Sequence, residues 1–297
     1  MPALRVSPHL MLIATASFWG AHMVIARAVV SSASPMSMSF GRWTVALAVL
    51  LPFAWPALVR ERAKLVAAWK PILFFGTLGT VVYNAVGYIG LQHTTATNAL
   101  LFQSLMPVTI PALAFLLFRD PIGVRTAIGL FVSLAGATAI VFRLDPAAVA
   151  AFRINPGDLW LLGNVLLWSL YTACMRWMPR DIDPLALLAA IMLAGMVTGV
   201  PACLADLALG GGIAWSPGVL AGLAYLGVFP SVVCYLLWAK GVAAIGPARA
   251  GAYLHVAPVV GISLSVPFLG ERIELYHAVG FALIIGGVWL ATRAKAA

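Results

Sequence analysis

Charged side chains are scarce in this sequence. Only 9% of its 297 residues are Asp, Glu, Lys or Arg, whereas 63% are hydrophobic and the mean hydropathy is +1.01. An ordinary soluble domain is roughly 25% charged, so this chain has too little polar surface to coat a globule in water. The composition excludes a soluble protein and predicts an all-α integral membrane protein whose apolar helices are about 20 residues long.

Acidic residues are the rarest charged group, and all nine fall at the ends of apolar stretches or between them. They are Glu61, Asp120, Asp145, Asp158, Asp181, Asp183, Asp206, Glu271 and Glu274. No buried carboxylate is therefore predicted as a proton carrier. His22 and His255 are the histidines within the stretches that we take as candidates for titration near neutrality. The sequence predicts movement of a solute down its own gradient, and any coupling to protons would have to use one of these two histidines.

Motifs for catalysis, cofactors and metals are also missing. Cys174, Cys203 and Cys234 lie in apolar runs with neither a disulfide framework nor metal-ligand spacing, so we interpret them as small core residues. The chain has no Gly-x4-Gly-Lys-[Ser/Thr] loop for ATP phosphates and no His-Glu-x2-His pattern. The prediction is a protein that is not an enzyme and that uses no cofactor and no metal.

Ten apolar stretches of about 20 residues follow one another along the chain. The longest connections, residues 60–70 and 143–156, are too short to hold a folded domain, so the function is expected within or across the bilayer. The stretches cover residues 9–30, 36–58, 72–92, 97–118, 123–142, 157–178, 184–209, 217–239, 248–269 and 275–293.

The 18 Lys and Arg residues outnumber the acids and give a net charge of +9. They lie mostly in short gaps and form no contiguous basic face for phosphates, which argues against nucleic acid as a partner. With a cytoplasmic N-terminus, thirteen fall on the inner side and only Arg143, Arg153 and Arg272 on the outer side. This positive-inside bias predicts a multi-pass protein of a bacterial inner membrane with both termini in the cytoplasm. The inner residues are Arg5, Arg60, Arg62, Lys64, Lys70, Arg119, Arg125, Arg176, Arg180, Lys240, Arg249, Arg293 and Lys295.

The two halves of the sequence match each other in their Trp, Pro and Gly residues. Five stretches per half is an odd number, so the second copy enters the membrane from the opposite side. Inverted repeats of this kind occur in alternating-access transporters, which predicts one repeat at residues 1–145 and an inverted one at 146–297. The matches are Trp19 with Trp168, Arg27 with Arg176 and Pro35 with Pro184 at an offset of 149, and Gly76 with Gly227, Val81-Val82 with Val232-Val233, Pro107 with Pro258, Gly129 with Gly280 and Gly136 with Gly287 at 151.

Several of these motifs resemble the EamA repeat of the drug/metabolite transporter superfamily, over nearly the whole chain. They are Trp19-Gly20, Arg42, Val256-Ala257-Pro258-Val259, Leu269-Gly270-Glu271-Arg272 and the pair Gly280 and Gly287. The first repeat departs from the family pattern, with Phe118-Arg119-Asp120 in place of Leu-Gly-Glu.

This resemblance implies ten helices and the export of small metabolites, amino acids or drugs. Our preferred function is export of small amphipathic metabolites, with amino acids the leading class and aromatic side chains a plausible preference. A broad drug or quaternary-cation exporter is the alternative, although it lacks a buried acid to pair with a cation. An intramembrane enzyme is disfavoured because no catalytic spacing is present.

Aromatic and polar residues recur in the helices expected to face the centre of the bundle. Trp19 and Trp168 lie about halfway along their stretches, and His22 and Tyr171 follow one turn later on the same faces. Interface anchoring and packing are the competing interpretations. For Arg42, pairing with a substrate carboxylate or a helix C-terminus competes with snorkelling to the headgroups. The predicted binding residues are Trp19, His22, Arg42, Tyr83, Asn84, Gln103, Ser104, Trp168, Tyr171, Tyr235, Trp238, Tyr253 and His255.

Two prolines occupy matching positions near the middle of the fourth and ninth stretches. Within a helix, Pro107 and Pro258 would leave the carbonyls of Gln103 and Leu254 without their usual donors. Such carbonyls must find partners inside the bundle or in a water-filled cavity. We predict hinges at both prolines, and a tolerated kink satisfied by neighbouring helices is the alternative.

The charge distribution yields a test of orientation. A cysteine introduced at Asp145 should react with a membrane-impermeant thiol reagent added from outside, whereas one at Arg62 should be spared. Labelling in intact cells and in inverted vesicles measures both accessibilities. The reverse pattern would overturn the predicted topology.

Overall fold

The chain folds as a bundle of α-helices. The computed structural model describes residues 7–150, 154–245 and 252–292. Within these ranges the only β pairing is one isolated antiparallel bridge between Ala33 and Ile213. Five described helices are long and apolar enough to cross a membrane, and a sixth span is added if a helix pair bent by 53° counts as one. The protein is therefore an all-helical, multi-pass membrane protein.

Nine α-helices lie within residues 7–150 of the described chain. A π-helical turn at Thr77–Val82 joins α4 to α5, and a 3-10 turn at Val30–Ser32 follows α1. The helices are α1 Pro8–Val29, α2 Pro35–Arg60, α3 Arg62–Ala67, α4 Trp69–Gly76, α5 Tyr83–His93, α6 Ala96–Gln103, α7 Met106–Phe118, α8 Val124–Val141 and α9 Pro146–Ala150.

The second half repeats this use of π-helical and 3-10 turns. A π-helical turn at Phe229–Val233 joins α12 to α13, and 3-10 turns lie at Cys174–Trp177 and Ala252–His255. All ten predicted stretches contain helix, and residues 248–251 of the ninth lie outside the described ranges. The helices are α10 Pro156–Ala173, α11 Pro184–Ala208, α12 Pro217–Val228, α13 Cys234–Ile245, α14 Val256–Leu269 and α15 Leu275–Thr292.

Helix starts follow from local sequence. Pro35, Pro156, Pro184 and Pro217 each open a helix, where the missing proline N–H costs no hydrogen bond. The residue before each proline caps the helix, because its side-chain oxygen accepts a hydrogen bond from a backbone N–H of the first turn. These capping residues are Ser34, Asn155, Asp183 and Ser216.

The fourth predicted span is broken rather than kinked. α6 ends at Gln103, and Pro107 lies in the first turn of α7. The backbone N–H of Ser104 donates to Leu101 O at 3.1 Å, so the end of α6 tightens into a 3-10 turn. Pro258 likewise lies near the start of α14. Both prolines thus sit where proline is tolerated in a helix, and their role as hinges stays a prediction.

Small residues let the helices approach closely. A Cβ atom at Gly136 of α8 would lie 2.6 Å from the carbonyl oxygen of Gly280 on α15. One at Gly76 of α4 would lie 2.7 Å from the backbone nitrogen of Gly195 on α11. Small residues are the usual basis of helix contacts in membranes, because lipid provides no hydrophobic force that favours helix association.

Large apolar side chains cover the outside of the bundle. Phe53, Phe131 and Phe268 are each more than 70% exposed, although Phe75 and Phe102 are fully buried. A soluble protein rarely exposes so much contiguous apolar surface. The exterior is suited to lipid and the interior is packed like that of a soluble protein.

The contact between α8 and α15 can be tested with two glycines of one helix. Gly280→Val should lower stability by about 1–3 kcal/mol because its side chain would meet Ile140 and the Gly136 carbonyl. Gly286→Val is the matched control, since no heavy atom lies within 4 Å of a Cβ built there. Thermal unfolding in detergent measures both, and equal losses would contradict the proposed close contact.

Candidate functional site

Arg42 lies on α2 and is only 4% exposed. Its Nε donates to Ser231 Oγ at 2.8 Å, and its Nη1 donates to Asn84 Oδ1 at 2.7 Å and to Tyr88 Oη at 3.2 Å. His22 Nε2 lies 3.1 Å from the same Nη1. The guanidinium is thus held inside the bundle by side chains from α1, α5 and the second π-helical turn, and it does not snorkel to the membrane surface.

His22 must be a neutral acceptor in this arrangement. A guanidinium carries only hydrogen-bond donors. His22 Nε2 can therefore bond to Arg42 only through its lone pair, which leaves the ring proton on Nδ1. The geometry consequently pairs the guanidinium with neutral groups on every side that the structure describes.

No ion pair of the described chain includes Arg42. The recorded pairs join Arg60, Lys64 and Arg176 to carboxylates at helix ends. The Arg42 Cζ also lies 5.0 Å from the centre of the Trp43 ring, a cation–π contact that offers no neutralising charge. An anion would compensate the charge of such a buried cation.

The two π-helical turns place the partners of Arg42. Asn84 follows the first turn, and its Nδ2 donates to Gly79 O at 2.8 Å and to Thr80 O at 3.1 Å. Ser231 lies in the second turn, and its Oγ donates to Leu226 O at 2.8 Å. A π turn widens the helix and shifts its hydrogen bonds, and such turns are frequent at functional sites. The side-chain bonds to these carbonyls hold both partners in position.

One aromatic group lies beside the second π turn. The ring centre of Trp19 is 5.5 Å from that of Trp238 and 6.5 Å from that of Tyr235, with the Tyr235 ring edge-on. The indole Nε1 of Trp19 donates to Pro230 O at 3.3 Å. Trp19 is thereby anchored to a backbone carbonyl of the same turn that carries Ser231.

A second aromatic group lies on α5 and α10. Trp168 stacks on Tyr171 at 5.2 Å with an 11° interplanar angle, and its ring centre is 5.0 Å from that of Tyr83. Asn164 Nδ2 donates to Tyr83 O at 2.5 Å. Tyr235 of the first aromatic group interacts electrostatically with Tyr83 and Tyr171. The two aromatic groups therefore lie near one another.

A small cavity opens beside the partners of Arg42. It is lined by His22, Tyr83, Asn84, Tyr88 and Asn164, together with small and apolar residues of α1, α5 and α10. We call Arg42, its four hydrogen-bonding partners and the two aromatic groups the central site. The central site combines one positive charge, several amide and hydroxyl groups, and flat apolar walls.

Not every predicted residue joins the central site. Tyr253 Oη lies 2.5 Å from His9 Nδ1 at the start of α1, which is about 20 Å along the helix axis from His22. Gln103 and Ser104 form the break between α6 and α7, where Ser104 Oγ donates to Leu100 O at 3.2 Å. The side chains of His255 and Pro107 lie outside the described part of the chain.

Ser231 contacts Arg42, although it is not among the binding residues predicted from the sequence. A signal was available, because the match of Val81-Val82 with Val232-Val233 also pairs Thr80 with Ser231. Both hydroxyl residues lie in π-helical turns. Periodicity could not reveal these turns, since it predicts regular helix for both segments.

Comparison with known proteins identifies relatives across the whole chain. The EamA-like transporter family matches residues 6–142 and again residues 155–293. "Uncharacterized transporter YyaM" of Bacillus subtilis is 25% identical, covering 96% of this chain and 93% of its own length. The "WAT1-related protein At3g02690, chloroplastic" of Arabidopsis thaliana is 23% identical over 94% of this chain and 68% of its own. The family name and the name of the Bacillus subtilis relative describe transporters and not enzymes.

A solved crystal structure has a similar fold. It superposes with a TM-score of 0.64, covers 97% of this chain and 98% of its own, and is 21% identical in sequence. The likeness extends to the overall fold alone.

The neutral state of His22 leads to a stability test. His22→Leu removes an acceptor from the Arg42 guanidinium and should lower stability by about 1–3 kcal/mol. His22→Gln supplies an amide oxygen and should retain most of the stability. Thermal unfolding in detergent compares both with His93→Leu, an exposed control. A His22→Leu protein as stable as the wild type would contradict the assigned hydrogen bond.

Proposed function

The chain belongs to the EamA-like transporter family, and from this premise we propose that it exports small amphipathic metabolites that carry a carboxylate, amino acids foremost. The observation that carries this proposal is the buried guanidinium of Arg42, whose hydrogen-bonding partners among the described residues are all neutral. The central site is the proposed binding site, and transport proceeds by alternating access around it.

A carboxylate is the ligand that suits Arg42 best. Guanidinium groups bind carboxylates through charge-assisted hydrogen bonds, often two in parallel. Inside a helix bundle, hydrogen bonds to a carboxylate take the place of the hydrogen bonds to water that the guanidinium loses on burial. An incoming carboxylate would exchange with one or more of the neutral acceptors, such as Asn84 Oδ1 or Ser231 Oγ.

The aromatic walls favour a flat or apolar side chain on the substrate. Trp19 with Trp238 and Trp168 with Tyr171 present ring faces in two groups that approach one another through Tyr235. Aromatic pairs contribute about 0.5–1.5 kcal/mol beyond the area they bury. An aromatic amino acid would match the charge and the walls of the central site once the site opens, because the cavity there has a volume of about 10 Å³ and holds no more than one water molecule.

A drug or quaternary-cation exporter is the second candidate. Its support is the same set of rings, since ring faces attract cations. The positive charge of Arg42 repels such a ligand, and no described acid is paired with Arg42 to offset that repulsion. The charge at the centre therefore favours the carboxylate-bearing substrate.

The proposed architecture is ten membrane-spanning helices in two inverted repeats, residues 1–145 and 146–297. Reciprocal contacts support it. Gly136 packs on Gly280 while Gly287 packs on Gly129, as a two-fold axis between α8 and α15 requires. Gly76 likewise meets the Ile191 carbonyl.

A second reciprocal contact lies at Gly227, whose added Cβ would lie 2.8 Å from Arg42 O. Gly227 corresponds to Gly76 at an offset of 151, and Arg42 corresponds to Ile191 at 149. Related residues thus make related contacts in both halves. With the excess of Lys and Arg on one side, we place both termini in the cytoplasm and the protein in a bacterial inner membrane.

The proposal is tested with ligands that differ only at the carboxylate. Purified protein in liposomes should release preloaded phenylalanine, and 3-phenylpropionate should compete whereas phenethylamine should not. Arg42→Gln should slow release about 10-fold or more, because a hydrogen bond to a charged group is worth about 1.5–3 kcal/mol.

Arg60→Gln is the matched control, since Arg60 ends the same helix and its side chain is 62% exposed. Its flux should equal that of the wild type. Undiminished phenylalanine release by Arg42→Gln, or competition by phenethylamine as strong as by 3-phenylpropionate, would refute the assigned role of Arg42.

A further inference from the structure

Asp158 is a fully buried acid, with 0% of its surface exposed. Its Oδ1 accepts hydrogen bonds from Thr94 Oγ1 at 2.6 Å and from Asn98 Nδ2 at 3.0 Å. The expectation that the chain holds no buried carboxylate is therefore wrong. Asp158 does lie at a helix end, in the first turn of α10, but this end is covered by other elements.

Close packing of α10 against α5 seals the site. A Cβ at Gly157 would come within 2.9 Å of Gly90 O and of the backbone of His93. Asn155 Nδ2 also donates to His93 O at 3.0 Å. The start of α10 is thus pressed onto the end of α5, which excludes water from the Asp158 carboxyl.

His277 on α15 supplies no charge to this acid. Its Nδ1 accepts from the backbone N–H of Glu274 at 2.9 Å, and its Nε2 lies 3.1 Å from Asn98 Oδ1. Asn98 Nδ2 donates to Asp158, so its Oδ1 is the acceptor towards His277. One ring nitrogen of His277 accepts and the other donates, which describes the neutral imidazole.

The other oxygen of the carboxyl, Asp158 Oδ2, is buried and has no hydrogen-bond partner among the residues that the structure describes. Glu271 is already engaged by the N–H groups of Ala96 and Thr97 at 2.8 and 2.9 Å. No described ion pair includes Asp158. The titratable or charged groups around it are His93 from α5, Glu271 and Glu274 from the segment before α15, Tyr276 and His277 from α15, and Arg143 after α8.

An ionised carboxylate would be poorly accommodated here. Burial of a charge without a counter-ion costs several kcal/mol, whereas the neutral acid loses much less. Arg143 does not form an ion pair with Asp158, and its Cζ lies 6.0 Å from the ring centre of Tyr276. The geometry suits a carboxylic acid that accepts two hydrogen bonds at Oδ1 and carries a proton on Oδ2.

We propose that Asp158 is a proton-binding site on the outer side of the transporter, which holds a proton while the outer end is closed and releases it when the outer end opens. The inference rests on the alternating access of the proposed function. Thr94 and Asn98 belong to the first repeat, and Asp158 and His277 belong to the second. Separation of the repeats at this end would admit water and stabilise the carboxylate.

The direction of the pH effect follows from this linkage. The closed arrangement binds one more proton than the open one, so acid outside favours closure and alkaline pH favours opening. A single proton changes the ratio of the two populations by at most ~10-fold per pH unit. The proposed site thus provides a route by which an inward proton gradient could act on the outer end.

The full-length protein in lipid nanodiscs is suited to the test, with the proton itself as the probe. Infrared difference spectra between about pH 6 and about pH 9, a range in which exposed carboxyls stay ionised, should contain the carbonyl stretching band of a protonated carboxyl. Asp158→Asn should abolish the band while keeping the amide oxygen at the same place. Asp145→Asn is the control, because Asp145 is exposed and, among the described residues, accepts a hydrogen bond from the backbone N–H of Ala147 at 2.8 Å.

Spin labels at Gln92→Cys and Ile273→Cys, both exposed positions in different repeats, report the outer end. The three native cysteines are replaced by alanine in this background. A longer-distance population should grow as pH rises in the wild type and in Asp158→Glu. In Asp158→Asn the distances should stay those of the closed form at every pH.

Three results would overturn the proposal. The infrared band could persist in Asp158→Asn, the wild-type distances could be independent of pH, or His277→Gln and not Asp158→Asn could remove the pH dependence. No substrate is used in these measurements. A failure of these measurements would therefore contradict the proton site at Asp158, whereas a failure of the phenylalanine assay would contradict the role of Arg42.

Discussion

The centre of this protein is organised by one buried guanidinium. A charge within the bilayer must be compensated inside the protein, because lipid provides no hydrogen bonds. Arg42 obtains this compensation from four neutral acceptors on three different parts of the chain. The constraint brings α1, α2, α5 and the second π-helical turn together, and it leaves the positive charge without an anion among the described residues.

Irregular backbone is what makes this arrangement possible. In a regular helix every carbonyl is used by an N–H four residues later. The π-helical turns break that pattern, and the Asn84 amide and the Trp19 indole bond to carbonyls within or beside them. The same turns interrupt corresponding helices in the two halves, so each half contributes one irregular segment to the central site. Functional side chains are thus positioned by departures from the helix rather than by the helix itself.

The sequence was informative wherever membrane physics limits the choices. Apolar length predicted the helical segments, and the repeat match singled out Gly136 and Gly280, which lie in contact. It was less informative wherever the answer depends on which helices become neighbours. The burial of Arg42 was left open, Ser231 was missed, and Tyr253 lies far from His22 along α1. Asp158 is the clearest case, because its position at a helix end did not predict that other helices would pack over it.

The two polar centres lie on the same pair of helices. Tyr88 of the central site lies on α5, and Thr94 of the Asp158 cluster follows the end of the same helix, six residues later and about 9 Å further along its axis. On α10, Asp158 precedes Asn164, which lines the central cavity, by the same interval. Gly90 and Gly157 let these helices approach closely at the Asp158 end. Any movement that opens the Asp158 end must therefore shift α5 against α10, and with them Asn84 and Tyr88, which hold Arg42.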